Sequence, residues 1–128
     1  MKVFVVEDSP IIQERLVAML QDIPRVEVVG VADTSAEALT GIAHHQPDVA
    51  VVDLRLRQGN GIEVMQGIRQ HSTGTTVMVL SNYANLIVRR RCQDVGAHYF
   101  FDKTTEFEQL GSEIERLSGQ PEYRRTTP

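Results

Sequence analysis

Five side chains able to do chemistry stand where short apolar runs end. Glu7 and Asp8 follow Val3-Phe4-Val5-Val6, and Asp53 follows Val49-Ala50-Val51-Val52. Ser81 follows Val77-Met78-Val79-Leu80, and Lys103 follows Tyr99-Phe100-Phe101 with Asp102 between. Carboxylates gathered without neutralisation repel one another and favour proton uptake. A hard divalent cation resolves that conflict. Mg²⁺ takes oxygen ligands and keeps several waters, so one or two carboxylates suffice to hold it. Asp8 and Asp53 are candidates for direct ligands, with Glu7 acting through water. No Cys or His stands at these positions, so zinc is not implied. A carboxylate can also be a nucleophile and form an aspartyl-phosphate. Phosphoryl transfer is catalysed mostly by positioning and by neutralising the equatorial oxygens. Mg²⁺ would cover one oxygen, Lys103 another, and Ser81 would hydrogen-bond a third. Asp102 is left as a partly exposed neighbour. Taken singly, Asp8 and Ser81 each have a helix cap as a rival reading, and Lys103 reads as a solvated lysine; the constellation carries the argument.

Those groups act together only if the fold brings the run ends to one edge. The runs, with a further one at Val26 to Val31, are rich in β-branched or aromatic residues that suit strands. The first, third and fourth barely alternate, the pattern of strands buried on both faces of a parallel sheet. Helix-period segments separate them. Ser9 is a good N-cap and Pro10 fits the first helical position. Ile12, Leu16, Met19 and Leu20 form one apolar stripe. Thr34 and Glu37 have capping-box spacing. Ile62, Met65 and Ile68 follow the turn Gly59-Asn60-Gly61; Val88, Cys92 and Val95 end at Gly96; Phe107, Leu110, Ile114 and Leu117 close the series. Five strand–helix units predict an open, doubly wound α/β sheet with helices on both faces. In such sheets sites form outside the carboxyl ends of the strands, where the five groups lie.

The chain's 128 residues fit one domain, expected over 1–117, with a polar, flexible tail over 118–128. Thirteen Lys and Arg against seventeen Asp and Glu give a net charge of −4, unsuited to wrapping nucleic acid through bulk charge. The single cysteine, Cys92, excludes an internal disulfide and falls on an apolar stripe. The four histidines share no metal-like spacing and read as surface or loop residues. No apolar run reaches the ~18 residues of a membrane span. Glu7 and Asp8 interrupt the N-terminal apolar run too early for a secretory signal, so the cytoplasm is the expected location.

Four stretches, VFVVEDSP, QPDVAVVDLRLRQGNGIEV, VMVLSN and GAHYFFDK, are together highly specific. Over residues 2 to about 117 the chain resembles the receiver domain of bacterial two-component response regulators. That resemblance implies a five-stranded flavodoxin-like sheet of order 2-1-3-4-5. It implies Asp53 as phosphoacceptor and Glu7, Asp8, Asp53 and the Arg55 carbonyl as the Mg²⁺ site. It implies Ser81 and Lys103 as catalytic groups, and Ser81 with Phe100 as the switch pair. The implied partners are a sensor histidine kinase or phosphotransfer protein and a downstream protein bound through helix four, strand five and helix five. No nucleic acid or membrane contact is expected, and the chain is expected as a monomer or weak phosphorylation-dependent dimer.

Three positions depart from the family pattern. Thr104 stands where proline usually follows the lysine, Asn82 where a small residue is usual, and Phe100 where tyrosine is common. Arg55 and Tyr83 flank the acceptor, both large, and predict slow hydrolysis of the acyl phosphate. A flavin carrier would need a hydroxyl- and glycine-rich phosphate cradle after strand one, where Glu7-Asp8 would repel phosphate. A haloacid-dehalogenase-like phosphatase would need two aspartates one residue apart there. The remaining alternatives are a degenerate receiver acting as a binding module, or the N-terminal fragment of a larger DNA-binding regulator.

Overall fold

The computed structural model describes residues 1–72 and 74–123. Five strands, β1 (Lys2–Val6), β2 (Glu27–Ala32), β3 (Val49–Val52), β4 (Thr76–Ser81) and β5 (Tyr99–Asp102), alternate with five helices. The helices are α1 (Pro10–Gln21), α2 (Ser35–His45), α3 (Gly61–His71), α4 (Leu86–Asp94) and α5 (Phe107–Ser118). The strands pair in parallel in the order β2-β1-β3-β4-β5, as the resemblance implied.

Alternate residues of a strand point to opposite faces. Val3, Val5, Val49, Val51, Met78 and Leu80 therefore meet Leu16 and Leu20 of α1 and Leu110, Ile114 and Leu117 of α5. Phe4, Val6, Ala50, Val52, Val77 and Val79 meet Ala38 and Ile42 of α2, Val64, Met65 and Ile68 of α3, and Cys92 of α4. Burying one such aliphatic side chain contributes about 1.5–3 kcal/mol. The barely alternating runs are thus explained: both faces are core, and all of β3 is buried.

The helix starts follow their caps. The side chains of Ser9, Thr34 and Asn60 each accept a backbone N–H in the first turn of α1, α2 and α3. Ser81 does not cap α4. Asn85 does, accepting the Val88 N–H at 2.9 Å. After α5, Pro121–Tyr123 form a 3₁₀ turn that sets Tyr123 against the α1/α5 core, its hydroxyl 3.3 Å from Thr76 Oγ1. This turn occupies the first part of the stretch expected as a tail; positions 124–128 of it lie outside the described residues. No helix among the described residues is long and apolar enough to cross a membrane.

Candidate functional site

The central strands deliver the acids. Backbone bonds from Glu7 N to Ala32 O and from Asp53 N to Val6 O, both 2.9 Å, carry the ladder to its last residues. Glu7 and Asp53 consequently emerge buried, 1% and 5% exposed, while Asp8 is exposed. Oxygens of the Glu7, Asp8 and Asp53 carboxylates all lie within 4.8 Å of one another. The loop after β3 is held close: Gly61 N donates to Leu54 O at 2.9 Å, and a Cβ on Gly61 would lie 2.4 Å from the Asp53 carbonyl oxygen. Gly59, at φ +77°, makes the turn that sends the chain back to this contact.

Lys103 reaches across from the end of β5. Its Nζ lies 2.7 Å from Glu7 Oε1 and 2.9 Å from Asp53 Oδ2. Asp53 Oδ1 accepts the Leu54 N–H at 2.7 Å, and Glu7 Oε2 accepts the Ser9 N–H at 2.9 Å. Burial pushes the Glu7 carboxyl above its usual range, and the Asp53 charge adds to the rise against the opposing pull of Lys103. Burial by itself would lower Lys103. Its bonds to Glu7 and Asp53 outweigh that and hold its ammonium above the usual lysine value.

Three carboxylates against one ammonium leave the site short of positive charge. Among the described residues Lys103 is the sole partner of Glu7 Oε1, an otherwise unsatisfied buried oxygen. An all-oxygen, acid-rich donor set of this kind suits a hard divalent cation rather than a soft one. The residues present therefore fit Mg²⁺.

The cluster floors a cleft of about 470 Å³, walled by Ser9, Ile12, Arg55, Asn82, Tyr83 and Thr104. The Arg55 guanidinium stacks 5.2 Å from the Tyr83 ring, so the two large flanking residues form one wall. Asn82 and Thr104, two of the departures from the family pattern, meet each other: Thr104 Oγ1 donates to Asn82 Oδ1 at 3.4 Å. The Lys103–Thr104 peptide is trans. Asp102 has a structural task, accepting the backbone N–H of Thr104 at 2.8 Å and of Thr105 at 3.3 Å. It thereby shapes the turn that carries Lys103.

Two expected residues stand apart from the acids. Ser81 is fully buried, is not part of the cleft wall, and its Oγ accepts the Tyr83 N–H at 3.1 Å. Phe100 is half-buried on the far side of β4, against the α2/α3/α4 core. Arg89 of α4, the first of three consecutive arginines, covers it. Its guanidinium lies 4.7 Å over the Phe100 ring, donates to Ala84 O at 3.0 Å, and pairs with Glu106 Oε1 at 3.4 Å. The same Glu106 oxygen accepts the Asp102 N–H at 2.8 Å. One side chain thus joins the β4–α4 loop, the aromatic of β5 and the β5–α5 loop. Only its position three residues before Cys92, the buried residue of this helix, could have signalled that.

Comparison with known proteins now decides the family. The model of the response regulator receiver domain matches residues 3–115. The chain belongs to that family. It is a receiver domain of two-component response regulators, a family of signalling phosphoacceptors. It is 31% identical over 120 residues to a probable transcriptional regulatory protein NarL of Mycobacterium tuberculosis, covering 93% of this chain and 56% of that protein. It is 37% identical over 84 residues to the DNA-binding transcriptional activator DevR/DosR of the same organism, covering 66% of this chain and 39% of the activator. The chain therefore spans less than two thirds of these relatives. Among solved structures, the receiver domain of the putative response regulator NarL from Mycobacterium tuberculosis superposes with a TM-score of 0.81 at 31% identity. That match covers 93% of this chain and 97% of the other. The response regulator domain of Thermotoga maritima CheB gives 0.81 at 25% identity, covering 98% of each.

Proposed function

We propose that Asp53 is the phosphoacceptor and that a histidine kinase or phosphotransfer protein is the donor. The observation that carries this reading is the convergence of Glu7, Asp8, Asp53 and Lys103 in one open cleft. An Asp53 carboxylate oxygen attacks the phosphorus of a phosphohistidine. The O–P bond forms, the N–P bond breaks, and the imidazole nitrogen leaves with the electron pair. Glu7, Asp8, Asp53 and the Arg55 carbonyl would hold Mg²⁺, which when bound supplies neutralising charge to a phosphoryl oxygen.

Lys103 is already paired with Asp53 Oδ2, so a new phosphoryl group arrives beside an ammonium that can follow it. Ser81 would swing its hydroxyl from the Tyr83 N–H toward the same group. That releases the β4–α4 loop and, through Ala84 and Arg89, loosens the cover on Phe100. A local charge change thereby biases a two-state element, read out on the α4, β5 and α5 surface. The chain acts as a cytoplasmic signalling protein; its catalysis is confined to its own phosphoryl transfer and slow hydrolysis.

The test is intact mass after incubation with Mg²⁺ and a small acyl-phosphate donor. One added phosphoryl group is expected on the wild type and none on Asp53→Asn or without Mg²⁺. An unmodified wild type, even with a phosphorylated kinase, would leave a degenerate receiver that signals by binding alone. The Arg55–Tyr83 wall predicts a long-lived adduct. Following its mass with time, decay should quicken in Tyr83→Ala, and equal lifetimes would remove the wall from the account.

A further inference from the structure

Helix α4 turns aliphatic side chains outward. Leu86 is 72% and Ile87 82% exposed, and they are adjacent in its first turn. Only Cys92 of this helix is buried. A helix laid on a sheet normally directs its leucines inward. Here the stripe carrying Leu86, Ile87, Arg90, Arg91 and Asp94 faces solvent and lines a shallow groove of about 300 Å³. Two arginines against one aspartate make this groove locally basic, on a chain whose net charge is −4. Tyr83, 45% exposed, stands between the groove and the phosphoacceptor cleft in sequence and walls the latter. Arg89 is not part of this charge, being engaged with Ala84, Phe100 and Glu106.

We infer that the outward face of α4 docks an acidic, amphipathic segment of a partner protein. Apolar side chains of that segment would cover Leu86 and Ile87, and its carboxylates would pair with Arg90 and Arg91. Adjacent exposed aliphatics rimmed by charge of one sign are the pattern of a recognition surface, where the apolar anchors hold and the charges select. A local basic patch on an acidic body also orients an acidic partner, which the rest of the surface repels. A second copy of the chain offers no match. Its other exposed large hydrophobics among the described residues, Ile11, Val31 and Tyr83, lie on separate elements, and none sits on acidic α5. Nucleic acid would satisfy the arginines but leave Leu86 and Ile87 against phosphates. The inference deepens the receiver reading by giving the chemistry of the downstream partner.

The test is selection of random displayed peptides on the full, unphosphorylated chain, subtracted against the double variant Leu86→Ser/Ile87→Ser. Enriched peptides are expected to combine Asp or Glu with at least two aliphatic or aromatic residues. Their affinity should fall about tenfold or more on Leu86→Ser/Ile87→Ser and on Arg90→Glu/Arg91→Glu. Enrichment of basic or neutral peptides, or equal binding to the variants, would overturn the inference. So would a mobility shift of a short DNA duplex that Arg90→Glu/Arg91→Glu abolishes, or a dimer in sedimentation that Leu86→Ser/Ile87→Ser dissolves. Phosphoryl uptake by Leu86→Ser/Ile87→Ser should match the wild type. Its loss in both would count against the phosphoacceptor reading and leave the docking result standing.

Discussion

The two ends of the sheet's functional edge are built differently. On one side, β1 is buried from Val3 to Val6 and β3 throughout, and they deliver Glu7 and Asp53 at positions set by backbone bonds. On the other, β5 is half-buried throughout and α4 buries a single residue, against six for α5. What holds the second side is polar or aromatic: Arg89 over Phe100, Glu106 on Asp102 N, and Tyr99 OH donating to Glu113 Oε1 at 3.0 Å. Acids that must share a cation need fixed separations, and a close-packed interior supplies them. A surface that must change shape needs contacts that can be exchanged at low cost, which are drawn from the less stable parts of a fold. Lys103 is the link, anchored on the loose side and bonded to the rigid one.

Removing that link has the largest expected effect. Lys103→Met would leave Glu7 and Asp53 buried without a counter-charge. Breaking a buried ion pair from one side costs about 3–5 kcal/mol. Glu7, already pushed toward its protonated form by burial, will take up a proton and reduce that figure. Mg²⁺ should replace the missing charge, so its stabilisation of the fold should be larger in the variant than in the wild type. Thermal melts of both proteins with and without millimolar-range Mg²⁺ measure this. An equal rise in the two would show that the cation and Lys103 do not neutralise the same acids.

The same chemical deletion should separate the two sides. Leu110→Ala removes a fully buried side chain from the α1/α5 core and should cost about 2–5 kcal/mol. Leu86→Ala on α4 removes an exposed one and should stay within about 0.5 kcal/mol. Urea unfolding at constant slope reads both. A cost at Leu86 near that at Leu110 would mean α4 is packed far more firmly than its exposure shows.

That division was legible in the sequence only on the rigid side. The apolar runs ending in Glu7 and Asp53 announce both strand and site, because a strand buried on both faces stays apolar until it leaves the sheet. Ser9, Thr34 and Pro10 announce helix starts because capping is local chemistry. Strand order has no local signal in a parallel sheet, and it came from the family resemblance. The loose side is tertiary. Arg89 reads as one of three solvated arginines until Phe100 and Glu106 are brought to it from 11 and 17 residues away. Asp102 reads as a bystander until the turn folds back on its carboxylate. Asn85 goes unmarked as the α4 cap because Ser81 offers the same local capping chemistry nearer the strand. Tyr123 falls in a polar stretch, and nothing local ties it to Thr76.

Arg89→Ala should loosen the second side without touching the first. The half-exposed ion pair to Glu106 is worth little by itself, and the stacked ring and the Ala84 bond bring the expected cost to about 1 kcal/mol. The sharper readout is local. Amide hydrogen exchange should quicken in the β4–α4 loop and around Phe100 while β1 and β3 keep their protection. Protection lost equally in β3 would mean the two sides open as one unit, and the comparison would fail.

The smallest expected effect lies where β5 meets α5. Arg116 bonds to Glu113 and holds its carboxyl below the usual range, with Tyr99 OH adding to the effect. A carboxyl whose value is depressed by folding contributes stability that is present above its ordinary value near 4.5 and fades as pH falls through the depressed one. The pair is largely solvent-exposed on the Arg116 side, so the contribution is about 0–1 kcal/mol. Glu113→Gln keeps an acceptor for Tyr99 and removes only the charge. Denaturation midpoints of the two proteins should therefore differ most at neutral pH and converge below pH ~4. Convergence at neutral pH would show that Tyr99's hydrogen bond, and not the ion pair, is what fastens the edge strand to its helix.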